Sequence, residues 1–249
     1  MSVFIHLKKE EQEIMALFDG AFIENKPIPF PNFEGTKAYS NLFYWANLEA
    51  KETSEFPLHP HEGFEIMTFV FKGSIEHFDT ATKVWTPLNE GGVQVIQAGS
   101  GVKHAERIVK GSQLFQIWFD PDFSKSMLKD AAYKDYKHEA FITESTAGVQ
   151  VLNYLGKDAP MYFETQGLEV NKRIFEAGIY KERHDKNYTY SYYLLDGGVR
   201  INGTVLDKDG FLAIDETEEI EYEVSQNAEL FMIKSPTKVE YDRFIQRYN

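Results

Sequence analysis

Apolar and polar positions alternate in short runs through most of the chain. EIMTFVFKG (65–73) is rich in β-branched and aromatic residues, and Gly73-Ser74 turns it into SIEHFDT (74–80). VQVIQAG (93–99) and SQLFQIWF (112–119) follow, both strand-like and edged by turn residues. Strands this close together, with no helical period between them, predict antiparallel pairing in a sandwich or barrel.

The polar stretch DPDFSKSMLKDAAYKDYKHE (120–139) breaks this rhythm and reads as a linker with a helical turn or two. A second strand-rich half follows: VQVLNYLG (149–156), NKRIFEAGIY (171–180), YTYSYYLLDGG (188–198), VRINGTVL (199–206), GFLAIDE (210–216) and AELFMIKS (228–235). Asn202-Gly203 and Asp196-Gly197-Gly198 are hairpin turn signals. The run TEEIEYE (217–223) reads as a solvated acidic edge. The tail from Ser235 predicts a helix, with Ser235 as N-cap, Pro236 at the first position, and Tyr241, Phe244, Ile245 and Tyr248 on one face. The halves share a strand–glycine–strand phrase, FVFKGSIEH and YLLDGGVRING, which suggests a duplicated β unit whose second copy lacks the histidines. The expected division is an amino-terminal domain over 1–125, a linker over 126–140 and a carboxy-terminal domain over 141–249.

Composition narrows the chemistry. A formal charge of −13 with no basic cluster disfavours direct nucleic-acid binding. The absence of cysteine excludes disulfides, thiol catalysis and iron–sulfur clusters, so any metal site must draw on His, Asp, Glu and solvent. No apolar run reaches membrane-spanning length, and MSVFIHLKKEEQEIM lacks a basic start ahead of an apolar core. The expectation is a cytoplasmic protein with no membrane partner. No Walker-type loop and no G-x-S-x-G elbow occur.

Two segments carry candidate chemistry. LHPHEGFE (58–65) places His59 and His61 two residues apart, and GGVQVIQAGSGVKHAE (91–106) ends in His104 and Glu106. Residues two apart on a strand share a face, so each pair would project together. Two adjacent strands would then aim three imidazoles and one carboxylate at a single point. Glu65 competes with Glu106 for the carboxylate, since strict alternation would also set it on the face of His61. If Glu106 is the ligand, Glu65 could orient a ligand imidazole or accept a proton. His77 is expected to be a hydrogen-bonded interior residue, and His6, His138 and His184 to lie on the surface. Met67, Phe69, Phe71, Phe115 and Ile117 either line a cavity for a flat apolar ligand or fill the barrel.

These motifs resemble the pirin family of cupins: HPHEGFEIMTFVFKG stands for the first cupin motif and GGVQVIQAGSGVKHAE for the second, with IEHFD and LFQIWF alongside. The close match covers roughly residues 57–123, and YLLDGGVRINGTVL with GFLAI resembles the family's metal-free second domain. The resemblance implies an all-β bicupin: two antiparallel β-barrels of the jelly-roll type, with short helices in the linker and at the C-terminus. It also implies one metal held by His59, His61, His104 and Glu106, and so favours Glu106 over Glu65. Fe(II) is the expected ion, with Mn, Ni, Co, Cu or Zn as alternatives. The implied activity is that of a quercetin 2,3-dioxygenase, taking a small aromatic substrate and dioxygen, with Glu106 and Glu65 as candidate proton acceptors. The alternative is a non-enzymatic, iron-binding redox sensor that docks a partner protein. A cupin isomerase or epimerase using Zn(II) or Mn(II) is a third reading. The chain departs from the family pattern in its first forty residues and at position 62, where Glu replaces a typical Arg.

Overall fold

The structure is a computed structural model that describes residues 3–31, 35 and 37–243. It is almost wholly antiparallel β, as the short alternating runs predict. The chain divides into two compact units. One comprises the described residues of 13–140, 163–166 and 240–249; the other comprises those of 1–12, 141–162 and 167–239.

Each unit is built from a seven-stranded and a four-stranded sheet. In the first, the large sheet runs Ala132–Tyr136, Val93–Gln97, Glu65–Lys72, Gln113–Phe119, Leu42–Ala50, Phe22–Ile28 and Glu13–Leu17. The small sheet runs Ser54–His61, Val102–Ile108, Ser74–Asp79 and Trp85–Asn89. The second unit repeats the plan. Its small sheet orders Gly178–Arg183, Glu219–Val224, Gly198–Ile201 and Thr204–Asp207 in the same topological sequence. The duplication suggested by the glycine-turn phrases is therefore visible in strand order. At Asn202-Gly203 both φ angles are positive (44° and 81°), as a tight hairpin requires.

Apolar faces explain the pairing. In the first unit Phe22, Leu48, Val70, Ile75, Leu88, Ile108 and Leu114 form one buried cluster. Phe43, Tyr44, Phe64, Ile66, Ile96 and Val102 form another. In the second unit Phe175, Tyr192, Leu194, Leu206, Leu212, Tyr222 and Leu230 pack together.

Four expectations need correction. The segment Phe4–Leu7 is a strand on Phe211–Ile214, so the described residues before Glu13 belong to the second unit, and the expected first domain over 1–125 does not hold there. The expected linker over 126–140 contains Ala132–Tyr136, paired along its whole length with Val93–Gln97; its helix is the single turn Phe123–Ser126, with a 3-10 turn at His138–Ala140. Ser235 and Pro236 end a strand, Ala228–Pro236, because Tyr188 and Thr189 continue the ladder past the expected cap. Phe244, Ile245 and Tyr248 lie outside the described residues. The acidic run is the strand Glu219–Val224, whose alternate positions Ile220 and Tyr222 are buried while the glutamates between them face outward. Among the described residues no helix is long and apolar enough to cross a membrane.

Candidate metal centre

The small sheet of the first unit builds the centre. Val102–Ile108 lies between Ser54–His61 and Ser74–Asp79, with His104 directly opposite His59 on one side and Asp79 on the other. Cross-strand partners in an antiparallel pair share a face, so His59, His61, His104 and Glu106 all start from the same face of the sheet. The register slips by one residue between His104 and Glu106, where the opposing partner changes from His59 to Phe56. Pro57, which has no N–H to give a ladder, sits in this bulge. Its carbonyl is 2.8 Å from His59 Nδ1. A carbonyl only accepts, so His59 carries its proton on Nδ1 and leaves the Nε2 lone pair free.

The ligand atoms of His59, His61 and His104 all lie within 4.8 Å of one another, and this is the one such group among the described residues. His61 Nε2 and His104 Nε2 face each other at 2.8 Å. Burial, reinforced by the neighbouring His59, lowers the His61 pKa to about 3. His104 is lowered further by burial and by His61, His59 and His77. Both rings are thus neutral at physiological pH, the state in which an imidazole ligates. Three imidazoles converging on one point are a donor set for a borderline divalent ion, so the residues present fit a metal.

Glu106 is buried, and its carboxylate accepts from Gln116 Nε2 at 3.0 and 3.3 Å. It is not one of the three residues whose ligand atoms converge, and it stands two residues from His104 on the same strand. Gln116 in turn accepts from Trp118 Nε1 at 3.1 Å. Burial pushes the Glu106 carboxyl up to about 7, against the lowering effect of the Gln116 hydrogen bond. A group with that pKa takes or gives a proton near neutrality.

Glu65 is placed elsewhere. Gly63 has φ +80°, and a Cβ there would fall 2.4 Å from the Phe123 ring. This left-handed turn breaks the strand after His61, so alternation cannot be carried across it. Glu65 accepts from the backbone N–H of Glu164 (2.8 Å) and Thr165 (2.7 Å), the Thr165 hydroxyl (2.5 Å) and Gln97 Nε2 (2.8 Å). Both oxygens are committed to holding residues 163–166, which removes the basis for Glu65 as a ligand or proton acceptor.

His77 is fully buried and bonded, as expected, and its partner is His104 itself: His77 Nε2 is 3.2 Å from His104 Nδ1. His184 is buried, not superficial. Its Nε2 lies 3.1 Å from both Glu182 and the Tyr192 hydroxyl, in a polar cluster of the second unit with Arg173 and Tyr222. Charged sequence neighbours hid this, because the ring itself stacks on Tyr190 with centroids 3.5 Å apart.

A cavity of about 660 Å³ reaches the centre at His61. His61 forms part of its wall with Phe30, Pro60, Phe64, Val102 and Trp118, while Glu62, Thr80 and Lys103 add polar edges. Phe64 and Trp118 stack with centroids 5.0 Å apart, and Trp118 meets the His61 ring edge-on at 5.2 Å. Met67, Phe69, Phe115 and Ile117 are at most 1% exposed and fill the interior instead.

The Pirin family pattern matches residues 31–119. A provisionally named quercetin 2,3-dioxygenase of Pasteurella multocida is 27% identical over 184 residues, covering 71% of this chain and 75% of that protein. Pirin of Rattus norvegicus is 29% identical over 153 residues, covering 59% of this chain and 52% of its own length. Relatives of higher identity are matched over little more than a third of their length. Among solved structures, the bacterial pirin YhhW of Escherichia coli in complex with nickel(II) superposes with a TM-score of 0.79 at 20% identity, covering 95% of this chain and all of that one. That likeness shows the bicupin fold.

Proposed function

We propose a mononuclear metal-dependent dioxygenase that cleaves a flavonol-type substrate such as quercetin, from the match to the Pirin family pattern over residues 31–119 together with the three converging imidazoles. The observation that carries the reading is a shared residue: His61 belongs both to the histidine triad and to the wall of an aromatic-lined space of about 660 Å³. A flat polyphenol buries its faces against rings of this kind and presents its hydroxyls to the polar groups among them.

His59, His61 and His104 would hold the ion, and Glu106, two residues beyond His104, would supply the carboxylate. Fe(II) suits the set, and Mn, Ni, Co, Cu or Zn also accept imidazole and carboxylate donors. When bound, such an ion supplies Lewis acidity for a hydroxyl oxygen and, if redox-active, electron exchange with dioxygen. The chain's own residues do the rest. Phe64 and Trp118 orient the flavonol plane, and the apolar wall limits water. Glu106, buried and two residues from His104, would take the proton of the enol hydroxyl and so leave an electron-rich ring. Both atoms of dioxygen then enter the product as the ring opens and carbon monoxide leaves.

Protein loaded with Fe(II) and exposed to quercetin under air should consume one dioxygen per flavonol and release carbon monoxide. Protein that binds the ion stoichiometrically but turns over no flavonol with any first-row divalent metal would overturn the enzymatic reading. The redox-sensing, partner-docking alternative would then stand.

A further inference from the structure

Behind the histidine triad stands a fourth histidine that no ligand role uses. His77 is the Cα partner of Glu106 across the sheet, and none of its surface reaches solvent. One ring face stacks on Tyr133, with centroids 4.7 Å apart and planes 14° from parallel. Its Nε2 meets His104 Nδ1 at 3.2 Å. Its Nδ1 has no hydrogen-bond partner, yet Asp79 Oδ2 lies 3.9 Å away. Asp79 is itself fixed, since its carboxylate accepts the backbone N–H groups of Ala81 and Thr82 and the Thr82 hydroxyl, all at 2.7–2.8 Å.

We propose that His77 is a positioning residue for the metal centre: its Nε2 accepts the Nδ1–H of His104 and thereby holds the His104 Nε2 lone pair toward His61 and His59. The inference rests on the reading of those three histidines as a metal centre. The two nitrogens of a neutral imidazole have opposite roles, so the tautomers follow in order. His104 Nε2 faces His61 Nε2, and for that atom to be a donor to an ion the proton must sit on Nδ1. His77 Nε2 must then accept, which puts the His77 proton on Nδ1. The Asp79 carboxylate near that side favours the same choice. Asp79, His77 and His104 therefore form a line that ends at the ligand atom, and the stack on Tyr133 sets the plane of its middle member. Outer partners of this kind keep a ligand ring in one tautomer and orientation, and losing them lowers metal affinity by about 10–100-fold.

Two substitutions separate this role from packing. His77→Phe keeps a ring to stack on Tyr133 but cannot accept; His77→Gln loses the ring but carries Oε1 near the position of Nε2. Affinity for Zn(II), read by competition with a chelator, should fall about 10–100-fold in His77→Phe and stay within about threefold of wild type in His77→Gln. Melting of the metal-free proteins should not follow that order. Equal affinity in His77→Phe and wild type, or losses in both variants that track melting, would overturn the proposal. A measurement without substitution guards against misfolding: nitrogen chemical shifts of the zinc-loaded wild type should show His77 Nε2 unprotonated and Nδ1 as N–H, and a protonated His77 Nε2 would overturn the assignment. If wild type itself binds no zinc, both the centre and this inference fall; if it binds and the variants do not separate, only the inference does.

Discussion

Glu65→Gln changes one oxygen to an amide and tests where this carboxylate acts. Four donors now point at Glu65: two backbone N–H groups from residues 164 and 165, the Thr165 hydroxyl and Gln97 Nε2. The amide oxygen can accept two of them, while the new NH₂ confronts the others. The Thr165 hydroxyl can rotate away, but one backbone N–H stays buried without an acceptor. Losing charge-assisted bonds of this type costs about 1.5–3 kcal/mol each, and an unsatisfied buried donor adds about 1–3 kcal/mol. Part of that is returned, because burial already holds the Glu65 pKa above the usual carboxylate value and a neutral amide avoids this penalty. The net expectation is a loss of about 2–3 kcal/mol, or about 4–12 °C in melting temperature for a chain of this length. Calorimetry of the metal-free variant should show the drop, and isothermal titration should show metal affinity close to wild type. A variant that melts like wild type but has lost its ion would refute the reasoning and return Glu65 to the centre.

Glu106→Gln should do the opposite, weakening metal binding with a smaller effect on melting. The metal-free protein also carries a pH signature: a buried carboxyl whose folded pKa is raised to about 7 is most stabilising when protonated, so its contribution is lost as pH rises through 7. The stability difference between wild type and Glu106→Gln should therefore shift by on the order of 2 kcal/mol between pH 5 and 8, and a pH-independent difference would contradict it. In the second unit, burial raises the Glu182 pKa, but the His184 hydrogen bond, the Arg173 charge and Tyr222 outweigh it and lower it to about 2. Its stabilisation is present above the unfolded value near 4.5 and is lost as pH falls toward 2. With a third of the side chain in solvent, acid unfolding should reveal a loss on the order of 2 kcal/mol that Glu182→Gln does not show.

The period-two pattern made most of the fold legible, and it paired His59 with His61 and His104 with Glu106 because each pair sits on an unbroken stretch of strand. It failed where a single residue resets the phase. Gly63, in a left-handed turn, separates His61 from Glu65, and no spacing rule survives such a turn. Tertiary partners hid other features. Ser235-Pro236 has the local form of a helix start, yet the neighbouring Tyr188 strand is long enough to keep it extended. His184 stands among charged neighbours in sequence, but a cluster of Arg173, Glu182, Tyr192 and Tyr222 buries it. His77 was legible as an interior hydrogen-bonded residue through its place in the strand Ser74–Asp79. Its partner was not, because cross-strand register is set by the bulge and turns, not by the ligand motif.

Elemental analysis of the untreated wild-type chain beside His104→Ala, with circular dichroism to show that both are folded, tests the centre most directly. One first-row divalent ion per wild-type chain and none in the folded variant is the expected result. A folded His104→Ala protein that keeps a stoichiometric ion, or a wild type that takes up none when offered Fe(II), Ni(II) or Zn(II), would contradict it.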